Sequence, residues 1–172
     1  MIGQPFKPVA KWHNPPEWLE LTNTIRSLAE TDRFGRQLAA ALTPGDVVGL
    51  VGELGSGKTT LIQSIGRALG VGESIYSPTF VIAHHYTGRV PVYHLDAYRL
   101  ETRDMASSAA LDDYFETDGI TLVEWADHVL DMLPERTIWL YLQVVSEHKR
   151  QFQLFLPQPL EPRWISWVDG EK

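Results

Sequence analysis

A glycine-rich octapeptide, Gly52-Glu-Leu-Gly-Ser-Gly-Lys58-Thr59, narrows the possible folds of this chain more than any other segment. It fits the pattern G-x-x-x-x-G-K-[ST] at every fixed position. Glycines let the backbone turn so that successive N–H groups point into one concavity, and no Cβ blocks the approach of phosphate groups. The octapeptide therefore predicts a nucleotide-binding loop. In such a loop Lys58 lies between the β- and γ-phosphates, and the Thr59 hydroxyl ligates Mg²⁺.

The flanking residues have the patterns of a strand and a helix. Residues 46–51, DVVGLV, form a short apolar run that is typical of a buried parallel strand. Residues 59–69 carry apolar side chains at helical spacing, and Gly70 is a typical helix terminator. The N-terminus of this helix adds partial positive charge at the phosphates. Because strand and helix surround the loop as the motif requires, a chance match in a glycine turn is improbable.

The same criteria divide the rest of the chain into further elements. A helix begins after Thr31 or Asp32 as its N-cap. The other predicted elements are strands at 80–86 and 90–95 around a hairpin turn, helical pieces within 103–115, a strand at 120–124, a short helix at 125–133, and paired strands at 137–145 and 151–156. This order predicts an α/β fold, a P-loop NTPase-like three-layer structure with a mixed, mainly parallel sheet. We divide the chain into an irregular N-terminal arm (1–18), a P-loop ATPase domain (19–156) and a C-terminal tail (157–172).

Composition limits the partners of the chain. Its 172 residues are 44% hydrophobic and 22% charged, which is ordinary for one globular domain. The net charge of −7 argues against stable direct binding of nucleic acid, which needs clustered Lys and Arg. There is no cysteine, and no apolar run approaches the roughly 20 residues of a membrane span. We therefore expect a soluble cytoplasmic protein without membrane contact.

Two carboxylates follow predicted strands. Glu124 ends the apolar run 120–123, which resembles a strand beside the loop, and Asp96 ends 92–95. A P-loop site needs such a carboxylate to hold magnesium through water and to orient the attacking water. Either could instead be an ordinary solvated carboxylate, but ligands of α/β sheets bind at C-terminal strand ends. We assign Glu124 to the metal and Asp96 to water positioning or a switch, and the two roles are interchangeable at this stage.

Ser77-Pro78-Thr79-Phe80 lies between the loop helix and the next predicted strand. P-loop enzymes often place a segment that senses the γ-phosphate and the metal at this point, and Ser77 and Thr79 offer hydroxyls for it. From spacing alone, a plain turn before a strand is an equal interpretation. We interpret the histidines at 84, 85 and 94 as structural and predict no zinc site.

Four segments together resemble one family, TsaE, also called YjeE, the small bacterial ATPases of tRNA threonylcarbamoyladenosine synthesis. They are Gly52-Glu-Leu-Gly-Ser-Gly-Lys-Thr-Thr60, Ser77-Pro-Thr-Phe80, His94-Leu-Asp-Ala-Tyr-Arg-Leu100 and Leu122-Val-Glu-Trp125, and the resemblance covers residues 28–156. It implies ATP and Mg²⁺ as cofactors, slow hydrolysis, and TsaB and TsaD as partners.

By position, the resemblance also implies roles for single residues. The residues that would hold the phosphates are Gly55, Ser56, Gly57, Lys58, Thr59 and Thr60. The metal would be held by Thr59 and Glu124. Catalysis would depend on Lys58, Asp96 and Glu124, and activity would also require Trp125. A basic residue on the late strands contacts the nucleotide in the family, and Arg150 or Lys149 matches it.

The resulting hypothesis is an accessory ATPase in which ATP turnover changes the segments 77–80 and 96–100 and so the grip on partner proteins. A small-molecule kinase is the first alternative, but the segment 97–119 is short and holds only Arg99 and Arg103 for a lid. A nucleotide sensor that binds without turnover is the second.

Overall fold

The computed structural model describes residues 17–77, 83–98, 111, 113–115 and 118–170. The strands are β1 (Trp18–Ile25), β2 (Val47–Val51), β3 (Ala83–Tyr86), β4 (Val92–Asp96), β5 (Ile120–Glu124), β6 (Ile138–Ser146) and β7 (Lys149–Pro157). The helices are α1 (Leu28–Ala41), α2 (Lys58–Ala68) and α3 (Pro162–Gly170), with a 3₁₀ segment at Ala126–Met132.

The seven strands form one sheet in the order β1-β7-β6-β2-β5-β4-β3. The four central strands β6, β2, β5 and β4 run parallel, and the pairings on both sides of them are antiparallel. The predicted α/β fold with a mixed sheet is therefore confirmed. The parallel strands form the centre of the sheet, so the C-terminal ends of β2, β4 and β5 lie next to one another at the same end of the sheet.

The α-helices pack on one face of the sheet, and the 3₁₀ segment packs on the other. Along β2, Val48 and Leu50 pack into a core shared with α1 and α2, whereas Val47 and Val51 point into a second core. The second core includes Val129 of the 3₁₀ segment and Leu111. All five residues of β2 are buried, which explains why its sequence is continuously apolar instead of alternating.

The prediction for the start of α1 was wrong. The N-cap is Ser27, whose hydroxyl accepts a hydrogen bond from the Glu30 backbone N–H at 3.1 Å, and Thr31 lies inside the helix. The Glu30 side chain reaches back to the backbone N–H of Arg26 at 2.7 Å. Ser27 and Glu30 have the S-x-x-E spacing of a capping box. Two backbone N–H groups at the start of α1 are therefore hydrogen-bonded to side chains of the same turn.

The last helix lies within the predicted tail, and the first strand begins at the last residue of the predicted arm. Residue 18, assigned to the arm, begins β1, which pairs with β7 along its whole length. Within the predicted tail, α3 packs on the core through Trp164, which is 2% exposed. The Trp167 indole N–H donates to the Gln37 carbonyl at 3.1 Å.

Most other predicted elements are present with small shifts. The predicted strand at 80–86 is β3 from Ala83 onward, and residues 80–82 lie outside the described part. Most of the predicted helical pieces at 103–115 also lie outside the described residues. The predicted helix at 125–133 is the 3₁₀ segment, preceded by Trp125 in a left-handed conformation. None of the helices within the described residues has the length and apolarity that crossing a bilayer requires.

Candidate functional site

The glycine-rich loop joins the end of β2 to the start of α2. Gly55 and Gly57 have φ angles of 77° and 103°, a left-handed conformation that favours glycine. At Gly52 a Cβ would lie 2.3 Å from the Leu142 carbonyl oxygen, so the chain passes too closely for any other residue. The Ser56 hydroxyl is buried and has no hydrogen-bond partner among the described residues. The loop thus has the shape of a cradle with an unused polar group.

Lys58 points into this loop. Its Nζ donates hydrogen bonds to the carbonyl oxygens of Gly52 at 2.7 Å and Glu53 at 3.1 Å. It also lies 3.7 Å from the centroid of the Trp125 ring, a cation–π contact. Burial lowers the pKa of Lys58, and nearby carboxylates, Glu124 foremost, oppose that shift.

Thr59 and Glu124 are in contact at the C-terminal end of β5. The Thr59 hydroxyl lies 2.8 Å from Oε1 and 3.0 Å from Oε2 of Glu124, whose residue is 3% exposed. Glu124 ends β5, and β5 pairs directly with the loop strand β2, as its sequence predicted. A hydroxyl and a carboxylate are hard oxygen donors, which is the ligand type that Mg²⁺ prefers.

Asp96 ends β4 and is the register partner of Glu124. One oxygen accepts a hydrogen bond from the Ser77 hydroxyl at 2.6 Å, and the other accepts from the Tyr98 backbone N–H at 2.9 Å. The bond from Ser77 connects the two segments that we predict to move with the nucleotide. Thr79 lies outside the described residues.

Trp125 lies at the junction of β5 and the 3₁₀ segment. Its φ and ψ of 55° and 39° are uncommon for a bulky side chain. This turn carries the indole ring over Lys58, and Tyr98 packs beside it with ring centroids 4.9 Å apart. Trp125 therefore forms one wall of the space beside the loop.

These residues line one cavity of about 400 Å³. It is bordered by Leu54, Gly55, Gly57, Lys58, Thr59, Thr60, Ser77, Asp96, Tyr98, Glu124 and Trp125. The structure thus brings together every predicted site residue except Thr79, which is not described, Ser56, which is buried in the loop, and Arg150.

Arg150 borders a second cavity, of about 310 Å³, on the other side of the same loop. Its guanidinium donates to the carbonyl oxygens of Ser146 at 3.2 Å and Glu147 at 2.8 Å, within the turn between β6 and β7. Gly55, Ser56, Gly57 and Thr60 border this cavity too. Arg150 is therefore close to the loop but separate from Glu124 and Asp96. The wall opposite is formed by residues 25–28 and Thr31 at the start of α1.

His94 is a site residue that the sequence interpretation did not assign. It is fully buried in β4, and its Nε2 lies 3.0 Å from Oε1 of Glu124. A polar side chain at a strand position between apolar neighbours was the available signal. The strand order that puts β4 beside β5 is what makes it meaningful.

Comparison with known proteins identifies relatives. The family model described as "Threonylcarbamoyl adenosine biosynthesis protein TsaE" matches residues 25–152. A Bacillus subtilis protein named tRNA threonylcarbamoyladenosine biosynthesis protein TsaE is 37% identical over 123 residues, covering 71% of this chain and 77% of the relative. The protein of the same name from Synechocystis is 42% identical over 117 residues, covering 65% and 73%.

A solved structure shares the fold. The crystal structure of Bacillus subtilis YdiB superposes with a TM-score of 0.75 at 28% sequence identity. The match covers 91% of this chain and 99% of that one. It therefore includes the sheet and the loop that carry the site.

Proposed function

The chain belongs to the TsaE family, and on that premise we propose that it binds ATP with Mg²⁺ and hydrolyses the ATP slowly. We propose further that it does so as an accessory protein of tRNA threonylcarbamoyladenosine biosynthesis, acting with TsaB and TsaD. The observation that carries the proposal is the meeting of Lys58, Thr59 and Glu124 at one end of the glycine-rich loop.

The charges around the loop support a requirement for a divalent cation. Lys58 is surrounded by the carboxylates of Glu124, Asp127, Asp96 and Glu53. A triphosphate adds several more negative charges, and one lysine cannot balance them. Mg²⁺, when bound, would neutralise charge that develops on the phosphates. Thr59 and Glu124 would hold it.

The chain's own groups would act by positioning and electrostatics. The backbone N–H groups of the loop and Lys58 would hold the phosphates, so Lys58 exchanges its bonds to the Gly52 and Glu53 carbonyls for bonds to the ligand. Asp96 would either orient the attacking water or take part in a switch between the ATP-bound and the hydrolysed states. The roles of Asp96 and Glu124 in water positioning stay interchangeable, because both line the same cavity. No covalent intermediate is needed.

The hydrogen bond between Ser77 and Asp96 supports the proposed switch. A γ-phosphate near the loop competes for the Ser77 hydroxyl, and its loss on hydrolysis returns the hydroxyl to Asp96. The two segments would therefore change position together. Arg150 would contact the nucleotide from the cavity on the other side of the loop.

The proposed partners are proteins. The net charge of −7 opposes stable direct binding of tRNA and so favours contact with proteins of the pathway, which the family resemblance gives as TsaB and TsaD. Because the tRNA that this pathway modifies lies in the cytoplasm, the proposal places the protein there. Recovery of TsaB and TsaD from native cells in an ATP-dependent manner tests this part.

Calorimetry and phosphate release test the site itself. The purified protein should bind Mg-ATP and release phosphate without any acceptor substrate. Lys58→Ala should weaken binding by about 10- to 100-fold, the value of one charged hydrogen-bonding group. Arg36→Ala removes an exposed cation on α1 and serves as the control. Unchanged binding by Lys58→Ala refutes the site, and binding without phosphate release, with partners present, favours a sensor.

A further inference from the structure

The side chain of His94 makes one hydrogen bond within the described part of the chain, and it is to Glu124. The residue is 0% exposed, and Nε2 lies 3.0 Å from Oε1 of Glu124. Its other ring nitrogen, Nδ1, is buried and has no partner among the described residues. The contact joins β4 to the end of β5, in the strand pair that also carries Asp96.

The position of His94 is suited to an apolar residue. Its neighbours on the same face of β4 and β5, Val92 and Leu122, belong to the core shared with α2. Burying an imidazole there costs free energy, and more so because Nδ1 has no described partner. A leucine would fill similar volume without that cost. The polar side chain is therefore explained by what it does to Glu124.

We propose that His94 is a positioning residue for the Glu124 carboxylate. Because a carboxylate only accepts hydrogen bonds, the imidazole donates through Nε2 to Oε1. This bond fixes the rotation of the carboxylate, so that it faces the Thr59 hydroxyl and the position where Mg²⁺ would be held. The inference rests on the proposed function, in which Thr59 and Glu124 serve the metal.

Thr59 alone does not define that rotation. Its hydroxyl has one proton and lies at nearly equal distances, 2.8 Å and 3.0 Å, from the two carboxylate oxygens. A second donor is needed to distinguish Oε1 from Oε2. His94 supplies it from a different element, since Thr59 belongs to α2 and His94 to β4. Groups that orient a metal-binding side chain typically change metal affinity by about 10- to 100-fold when removed.

Variants of His94 separate positioning from simple core packing. His94→Leu keeps volume and loses the donor. His94→Gln keeps a donor, because its amide nitrogen reaches about as far along the side chain as Nε2. His94→Asn places its amide nitrogen about where Nδ1 stands, too short to reach Glu124. Calorimetry measures ATP affinity of each folded variant in EDTA and in a Mg²⁺ titration, and thermal unfolding confirms that each variant is folded.

We expect the affinity in EDTA to stay within about twofold of wild type in all three variants, since the phosphate cradle is untouched. The Mg²⁺ concentration needed for half of the metal-dependent effect should rise about tenfold in His94→Leu and His94→Asn, and less than about threefold in His94→Gln. On a Glu124→Gln background, His94→Leu should add nothing. A crystal structure of nucleotide-free His94→Leu should show the Glu124 carboxylate group rotated relative to its wild-type orientation.

Two results overturn the inference: an unchanged Mg²⁺ requirement in His94→Leu, or an equal loss in His94→Gln. If His94→Leu does not fold, the contrast between His94→Gln and His94→Asn decides by the same criteria. If wild-type protein itself shows no effect of Mg²⁺ on ATP affinity, the proposed function fails and takes this inference with it. A normal wild-type response with indifferent His94 variants refutes the inference alone.

Discussion

At the scale of single residues, we expect Glu124 to matter more for ATP turnover than for ATP binding. Its carboxylate contacts the hydroxyl of Thr59, the last residue of the glycine-rich octapeptide, and the His94 imidazole, and its hydrogen bonds in the described structure are to side chains. We therefore expect Glu124→Gln to slow Mg²⁺-dependent phosphate release by about 10²-fold while ATP affinity changes by less than about threefold, because the lost charge acts mainly on the developing transition state.

Single-turnover phosphate release and calorimetry on the same sample measure the two quantities. Glu73→Gln is a matched control, since Glu73 is an exposed carboxylate beyond α2 that does not border the cavity of Lys58 and Glu124. Equal loss of affinity and turnover in Glu124→Gln would instead assign the residue a structural role.

Lys58 should make the stability of the nucleotide-free protein depend on alkaline pH. Burial lowers its pKa below the ordinary value. Between the lowered pKa and the ordinary value of about 10.4, the unfolded chain still holds a proton that the folded chain has released. Unfolding then takes up that proton, so the free energy of unfolding rises with pH relative to a variant without the amine.

The comparison is with Lys58→Met, which keeps an unbranched chain. Urea unfolding at neutral pH and at about pH 10 gives the difference between wild type and variant at each pH. The free energy of unfolding of wild type, relative to that of Lys58→Met, should be larger at the higher pH. If this difference in free energy does not change with pH, or becomes smaller at the higher pH, the carboxylates around the Lys58 amine raise its pKa at least as much as burial lowers it.

The residues with local signals could be predicted, and His94 could not. Lys58, Thr59 and the two strand-end carboxylates follow from the motif and from the rule that ligands lie at C-terminal strand ends. The contact between His94 and Glu124 spans 30 residues and depends on which strands are neighbours. Periodicity gives the strands but not their order.

At the scale of elements, the approach of α1 to α2 depends on Gly35. A Cβ at this position would lie 2.6 Å from the Ser64 Cβ and 3.3 Å from the Ile65 backbone nitrogen. Backbone atoms cannot rotate away as a side-chain end can, so the two helices would have to separate. We expect Gly35→Ala to lower the free energy of unfolding by about 1–3 kcal/mol, although alanine favours the helix by about 1 kcal/mol.

Denaturant unfolding midpoints measure this cost. Gly72→Ala is the control, because a Cβ there would meet nothing within 4 Å. It should change the free energy of unfolding by no more than about 0.5 kcal/mol. A stabilising Gly35→Ala would show that helix propensity outweighs the close contact between α1 and α2.

Elements were predicted well where one signal dominates and missed where the signal was present but unused. β1 has apolar Leu19 and Leu21 alternating with exposed Glu20, a strand pattern beside the proline-rich start. The start of α1 carries the capping box of Ser27 and Glu30, and Ser27 lies four or five residues before the predicted N-cap, Thr31 or Asp32. In α3, Trp164, Trp167 and Val168 have helical spacing. Proline content obscured both ends of the chain.

At the scale of the whole molecule, the parallel strands separate two ends of the sheet. The loop, Asp96 and Glu124 lie where β2, β4 and β5 end. Asp46, which precedes β2, lies at the other end and pairs with Arg163 of α3, with one N–O distance of 2.8 Å. The five residues of β2 span about 16 Å between these ends. The attachment of α3 should therefore affect stability without affecting nucleotide binding.

Trp164→Ala tests that separation. Trp164 is 2% exposed and packs in the core shared by α1 and α2, so its loss should cost about 3–5 kcal/mol and lower Tm by about 6–20 °C. Ile165, its neighbour on α3, is 49% exposed, and Ile165→Ala should lower Tm by a few degrees at most. Well below Tm, Mg-ATP affinity should match wild type in both variants, because no atom of the phosphate cradle has lost a neighbour. A weakened affinity in folded Trp164→Ala, with Ile165→Ala unaffected, would mean that the far end of the sheet controls the nucleotide site and that the two ends are coupled through β2.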